Sequence, residues 1–238
     1  MIRYYFVITV SMPLIIYYIY KIRFIMRHTD WFSEEYRYGV ASHMISVIMI
    51  NARIRSRCSG IDKLPKDGGY IMISNHQGKF DVPGIMHFHK SPCSVVIDKE
   101  RSKQILLNEF IDVVDGIRLD KNDIKQQYEC LKLVAERVKN GKKIIIFPEG
   151  GYDNNGNDLL DFIPGTFKAA IWSKMPIVPV ALVDSYKAFG LKNGIKRVTT
   201  QVHFLDPIYF EDYKGLKSAQ IAEKVKGAIE DEIKKHTA

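Results

Sequence analysis

The chain has little cysteine: Cys58, Cys93 and Cys130 are the only three in 238 residues. They are odd in number, widely spaced and form no Cys-x-x-Cys pair, so neither a disulfide framework nor a cysteine zinc site is signalled. A reducing setting is the simplest reading. No Gly-x-Ser-x-Gly elbow occurs, which removes the usual signature of a serine nucleophile. No internal repeat is visible. The basic residues are dispersed, and no base-stacking or groove-reading motif accompanies them, so a nucleic-acid partner is not expected. His87 and His89 form a His-x-His pair, but positions i and i+2 of a helix do not share a face. Both are expected to be structural, and neither a metal site nor a cofactor is expected.

Charge is missing from residues 4–20, YYFVITVSMPLIIYYIY. This stretch sits at the lower limit for crossing a bilayer core. Tyr4 and Tyr5 at one end and Tyr17, Tyr18 and Tyr20 at the other resemble interfacial aromatic belts. Lys21, Arg23 and Arg27 follow, a positive excess that would place the C-terminal side in the cytoplasm. No small-x-small cleavage site follows, so a removed signal peptide is disfavoured. Pro13 could kink the helix. A membrane-bound helix, spanning or interfacial, is expected; a buried core helix is the plain alternative. Residues 33–54 read as a second helix, with Val40, Met44, Val47, Ile48 and Ile54 near helical spacing. Arg53, Arg55 and Arg57 then form a basic cluster. The two helices, joined at Trp31-Phe32, are expected as a hairpin in the headgroup region, the second also packing on the rest of the chain. Residues 1–58 are thus expected to be membrane-associated helices, and residues 59–238 a catalytic domain.

What the chain does have is 46% hydrophobic residues and a formal net charge of +8. The first supplies a core; the second points to an anionic partner such as anionic lipid or a phosphorylated substrate. Strands are predicted at 70–74, 94–97, 143–147, 177–182 and 198–205. Helices are predicted at 123–139, with Ile124, Tyr128, Leu131, Ala135 and Val138 on one face, and at 216–235, with Ile221, Val225 and Ile229. Asn140-Gly141 closes the first of these. Strands alternating with helices predict an α/β fold with a largely parallel sheet flanked by helices. Residues 152–158 read as a loop.

Two runs carry chemistry. Asn75-His76-Gln77-Gly78-Lys79-Phe80-Asp81 follows one predicted strand, and Phe147-Pro148-Glu149-Gly150-Gly151 follows another. Histidine can accept a proton near neutrality, and an aspartate on its other nitrogen would fix the tautomer. Asp81-Val82-Pro83 also reads as a helix start with Asp81 as the cap. On that plainer reading Asp81 is only a cap and His76 a satisfied loop residue. Glu149 could likewise merely cap a turn, and the basic residues at 118 and 121 could be solvated surface charge. With a base but no evident enzyme nucleophile, direct attack by a substrate hydroxyl fits better than a covalent route.

His76 to Asp81 resembles the HX4D motif of the glycerolipid acyltransferase family, which includes the 1-acylglycerol-3-phosphate acyltransferases. Gly116-Ile117-Arg118-Leu119-Asp120-Lys121 resembles that family's second motif. Phe147-Pro148-Glu149-Gly150 resembles its third, and Ile177-Val178-Pro179-Val180-Ala181-Leu182 its fourth. Phe162 to Ala170 resembles the stretch between the last two, and the likeness runs over about residues 60 to 210. The resemblance implies His76 as general base and Asp81 as its partner. It implies Arg118 and Lys121 as holders of the acceptor phosphate, and Glu149 and Gly150 as shapers of the acceptor site. The second motif usually ends in arginine where this chain has Lys121, and the third usually continues Thr-Arg where this chain has Gly151-Tyr152. Lysine lacks the bidentate fork of arginine, and Lys168 is the candidate to supply the missing charge. The implied activity is transfer of a fatty acyl group from acyl-carrier protein or acyl-CoA to the sn-2 hydroxyl of lysophosphatidic acid, giving phosphatidic acid. It would run on the cytoplasmic face of a membrane with no cofactor. The rivals are another acceptor (glycerol 3-phosphate or a different lysophospholipid), a thioester or phosphate-ester hydrolase, and a non-catalytic lipid-binding scaffold.

Overall fold

The structure is a computed structural model that describes residues 2–189 and 196–237, and of residues 2–8 the backbone alone. The side chains of Tyr4 and Tyr5 therefore lie outside the described set. Helices are α1 (Ile2–Arg27), α2 (Glu34–Asn51), α3 (Asp81–Phe88), α4 (Leu107–Val113), α5 (Ile124–Lys139), α6 (Lys168–Ser173), α7 (Phe210–Tyr213) and α8 (Ser218–Thr237). Strands are β1 (Ile54–Ser59), β2 (Tyr70–Ser74), β3 (Ser94–Asp98), β4 (Ile117–Leu119), β5 (Lys143–Ile146), β6 (Ile177–Val183) and β7 (Val198–Phe204). They form one seven-stranded sheet in the order β1-β7-β6-β2-β5-β3-β4. Every neighbouring pair is parallel except β6 with β7. The predicted α/β architecture, with its largely parallel sheet, is what forms.

β2 shows why a near-continuous apolar run becomes a central strand. Tyr70 and Met72 enter the core on one face, Ile71 and Ile73 the core on the other, and all five residues of the strand are buried. Burying each large apolar side chain is worth about 1.5–3 kcal/mol. The first face is covered by α1 to α4, the second by α5, α6 and α8. In α8 the predicted stripe is the buried one: Ile221, Val225 and Ile229 are fully covered. α5 begins at Asp123, whose carboxylate caps the amide of Gln126 at 3.0 Å, and it ends at Asn140 with Gly141 at φ +87°.

The inward face of α5 departs from the prediction. Cys130, Val134, Ala135 and Val138 are buried, whereas Ile124 is 84% exposed and Tyr128 is also exposed. The contact row runs at i, i+4, i+8 from Cys130, and Ile124 stands in the first turn, off that row.

At the N-terminus two expectations change. The second helix, expected to run to Ile54, stops at Asn51. β1 instead pairs with β7, with Arg55 and Arg57 exposed on the edge strand, where charge discourages further pairing. The boundary expected at 58/59 therefore falls inside a strand of the main sheet. α1 and α2 do form a hairpin, and α2 starts at Ser33, which caps the amide of Tyr36. The hairpin also contributes to the sheet's own core. Tyr18, Ile22 and Ile25 of α1 and Met44 and Ile45 of α2 share one cluster with Phe110 and Val180. Arg23 donates to Glu109 of α4 at 2.8 and 2.6 Å. Residues 9–27 are nonetheless the one segment among the described residues long and apolar enough to cross a membrane. Ile16, Tyr17, Tyr20 and Phe24 face outward there, about half or more exposed. That outward face and length are those of a membrane-associated segment.

Candidate active site

β6, β2 and β5 are parallel neighbours, so their carboxyl ends lie on one rim of the sheet. Ligand sites of α/β sheets sit on this rim. Three loops meet there: 75–80 after β2, 147–151 after β5, and 184–185 after β6.

The first loop is pinned by side chains acting as backbone. Asn75 donates to the carbonyl of Leu182 at 3.0 Å and accepts from its amide at 2.8 Å. Gln77 donates to the same carbonyl at 2.9 Å and accepts from the amide of Ser185 at 2.8 Å. His76 is thereby held above the sheet, its ring stacked on Phe147 at 4.4 Å and met edge-on by Tyr152 at 4.7 Å.

Asp81 is fully buried and gathers four donors. Its Oδ2 lies 2.6 Å from His76 Nδ1 and accepts the amides of Gln77 at 2.6 Å and Gly78 at 2.9 Å. Its Oδ1 accepts the hydroxyl of Ser185 at 2.5 Å. Asp81 is not the helix cap that was expected; Phe80 takes that position and Asp81 is the first residue of α3. The physical reason is that its carboxylate turns back into the loop rather than along the helix. An ionised carboxylate only accepts, so His76 carries its proton on Nδ1 and presents the lone pair of Nε2. The His76 side chain is 18% exposed, enough to be reached from outside.

Glu149 joins the first and second loops. Its Oε1 accepts the amide of His76 at 3.1 Å, while Oε2 is buried without a partner. Burial pushes its carboxyl up to about 7, against the pull of the amides it accepts. Gly150 has φ +69°, and a Cβ there would lie 2.9 Å from the Ile163 side chain, so the turn calls for glycine. Lys121, just past β4, donates to the Gly150 carbonyl at 2.5 Å and lies 3.3 Å from Asp98.

Arg118 is tied to Asp112 at 2.7 Å, to Asn108 Oδ1 at 3.1 Å and to the Ser102 hydroxyl at 3.1 Å. Lys168 is exposed at the start of α6, and the residues after it, Ala169 and Ala170, enter the core on the face away from α3. Arg101, in a turn after β3, is a further cation at these loops and lies 5.1 Å over the ring of Tyr152. Ser185, Asn157 and Arg101 escaped sequence reasoning. Asn157 accepts from Gln77 at 2.9 Å and from the amide of Asp184 at 2.9 Å. Only the position of Ser185, two residues beyond an apolar strand, hinted at a rim location. His89 is a satisfied core residue, bonded to the Tyr70 hydroxyl at 2.6 Å and the Ser91 carbonyl at 2.7 Å.

Fold and site together define an α/β protein with a histidine paired to a buried carboxylate at the carboxyl rim of a mostly parallel sheet. The chain belongs to the Acyltransferase family, whose profile matches residues 55–183. It is 30% identical over 168 residues to the 1-acyl-sn-glycerol-3-phosphate acyltransferase of Saccharomyces cerevisiae, covering 69% of this chain and 55% of that one. It is 26% identical over 180 residues to the human 1-acyl-sn-glycerol-3-phosphate acyltransferase alpha, covering 74% and 62%. The chain thus spans a little over half the length of these relatives. Among solved structures, the 1-acyl-sn-glycerophosphate acyltransferase PlsC of Thermotoga maritima superposes with a TM-score of 0.74. The two are 17% identical, and the match covers 97% of this chain and 98% of that one, so the likeness is one of fold and includes the helical hairpin.

Proposed function

We propose that this protein transfers a fatty acyl group from a thioester, on acyl-carrier protein or coenzyme A, to the sn-2 hydroxyl of 1-acylglycerol 3-phosphate. The observation that carries the proposal is the 2.6 Å contact between His76 Nδ1 and the fully buried Asp81, which leaves Nε2 as the base. His76 Nε2 takes the acceptor's hydroxyl proton as that oxygen attacks the thioester carbonyl. Asp81 stabilises the imidazolium that forms. Backbone amides of the loops receive the oxyanion. The carbon–sulfur bond then breaks, and the thiolate takes the proton back from His76. Ser185 at the rim is buried with its hydroxyl committed to Asp81, which supports direct transfer over an acyl-enzyme.

In this proposal Lys121 and Arg101 hold the acceptor phosphate. Glu149 and Gly150 shape the acceptor site by fixing the two loops. Arg118 acts indirectly, through the contacts that tie β4 to α4. Lys168 is left without a direct role. The acceptor is an amphiphile, and the outward face of α1 would seat the rim at a bilayer, with the rim on the cytoplasmic side. Membrane attachment concentrates enzyme and substrate on one surface, and the net positive charge adds attraction to anionic lipid.

The test is a mass-spectrometric acyl-transfer assay in lipid micelles, with lysophosphatidic acid as acceptor and palmitoyl-CoA and palmitoyl-carrier protein as parallel donors. Phosphatidic acid from the wild type, and its loss in His76→Ala, is expected. No product with either donor refutes the acceptor assignment, and acceptor-independent free fatty acid refutes transfer in favour of hydrolysis.

A further inference from the structure

A second cluster of reactive side chains lies outside the rim loops. Glu232 and His236 are one turn apart on α8 and share a face. They stand against His203 of β7, whose side chain is 5% exposed. His203 Nδ1 is 2.7 Å from the Ser59 hydroxyl, and its Nε2 is buried with no hydrogen-bond partner. The rings of His203 and His236 stack at 3.9 Å. Glu232 Oε1 lies 3.2 Å from His236 Nε2 and 4.0 Å from His203 Nδ1, while its Oε2 is held by Lys235 at 2.9 Å. One ligand atom from each of the three residues falls within 4.8 Å of the others.

We propose that His203, Glu232 and His236 bind one divalent transition-metal ion of the zinc type, with the glutamate monodentate through Oε1 and a fourth position left to water. Two imidazoles and a carboxylate are a donor set that zinc accepts, and i, i+4 ligands on a helix facing a third from a strand converge without backbone rearrangement. Nδ1 of His203 is taken by the Ser59 hydroxyl, so the buried, unpartnered Nε2 is the nitrogen left to bind an ion. The adjustment required is small and local. Stacked rings point their lone pairs in parallel, so His236 must turn out of the stack; it is in the last turn of α8 and 32% exposed. Tetrahedral bonds of about 2.0–2.1 Å then need ligand atoms roughly 3.3 Å apart. A bound ion would clasp the C-terminal helix to the β7–β1 edge of the sheet.

The experiment titrates Zn2+ into the full chain, stripped of metal in detergent micelles near neutral pH, by calorimetry. Co2+ absorption reports the coordination geometry in parallel. One ion per chain is expected, with four-coordinate Co2+ bands. His236→Ala and Glu232→Gln should each weaken binding by at least about tenfold and abolish those bands. Glu230→Gln, a neighbouring carboxylate on α8, and His76→Ala should bind as the wild type does. His203→Ala risks disturbing the core, so the exposed-end variant His236→Ala, checked for an unchanged melt, decides the matter. Equal affinity in wild type and His236→Ala, or no binding by the wild type at millimolar Zn2+, overturns the site.

Discussion

Replacing Asp81 by asparagine separates an oriented base from a satisfied loop histidine. The carboxylate accepts from His76, Gln77 and Gly78 on one oxygen and from Ser185 on the other, in a fully buried place. A carboxamide has one oxygen and one NH2. If its oxygen keeps the two amides, the His76 nitrogen at 2.6 Å still has a partner, but Ser185 then faces the NH2 and must become the acceptor. If the NH2 faces His76, the imidazole must accept on Nδ1 and carry its proton on Nε2, where the base should be. The comparable asparagine swap in a serine protease triad costs about 10⁴ in kcat through this tautomer error. An effect of about 10³–10⁴ is therefore expected here, or about 4–5.5 kcal/mol of barrier. Lost charge-assisted bonds, each worth about 1.5–3 kcal/mol, should also lower stability. The assay is steady-state acyl transfer to lysophosphatidic acid at saturating donor, with a thermal melt on the same sample. Ser185→Ala removes one hydroxyl donor and leaves the tautomer intact, so its kcat should fall by about tenfold at most, with a lower melting temperature. A folded Asp81→Asn variant that keeps more than a tenth of wild-type kcat would refute the tautomer error, and the same retention in His76→Ala would refute the base assignment.

Further expectations follow from the same geometry. Burial raises Glu149 from 4.5 to about 7, so its protonated form favours the folded state. That contribution is fully present below about pH 4.5 and lost as pH rises through about 7, on the order of 3 kcal/mol in all. Glu149→Gln should flatten this dependence in urea unfolding compared at about pH 4.5 and about pH 8; parallel profiles for variant and wild type would contradict it. Lys121→Ala and Arg101→Ala should raise KM for the acceptor several-fold with little change in kcat. Arg118→Ala, which breaks the contacts with Asp112, Asn108 and Ser102, should instead lower the melting temperature; the reverse pattern in a kinetic and melting comparison would discard the phosphate assignment. On α1, Ile16→Ser, Tyr20→Ser and Phe24→Ser together should cut vesicle co-sedimentation by at least about tenfold while the fold survives, because each side chain is outward and worth about 1.5–3 kcal/mol when buried. Undiminished sedimentation would show that this face is not the membrane contact. Deleting the whole hairpin would be a poorer test, since Ile22, Ile25 and Ile45 belong to the core.

Local signals were legible wherever a few neighbouring residues decide the outcome. The apolar runs of β2, β5 and β6, the stripe of α8, and the Asn140-Gly141 stop all act within a turn or a strand. His76 and Asp81 were readable as a possible pair because a short loop into a helix brings them together. The glycine-bearing turn at Gly150 was readable because a positive φ restricts its residue type. Partners distant in sequence were not readable in that way. Ser185 reaches Asp81, Leu182 anchors Asn75, and Glu149 meets the amide of His76 across about 70 to 110 residues. Those meetings depend on the order β6-β2-β5, which sets three strand ends side by side. The same dependence explains the exposed start of the predicted α5 stripe, Ile124 and Tyr128, since the inward row is chosen by the sheet beneath it. It explains Arg118, which folds onto α4. β1 was not read as a strand because its pairing partner, β7, lies more than 140 residues later. Sequence alone thus determined the central strands, the longest helices and which residue types can move a proton. Which of them share one rim, and which are left facing a membrane, was decided by long-range packing, because burial and pairing energies belong to the assembled sheet and not to any one segment of it.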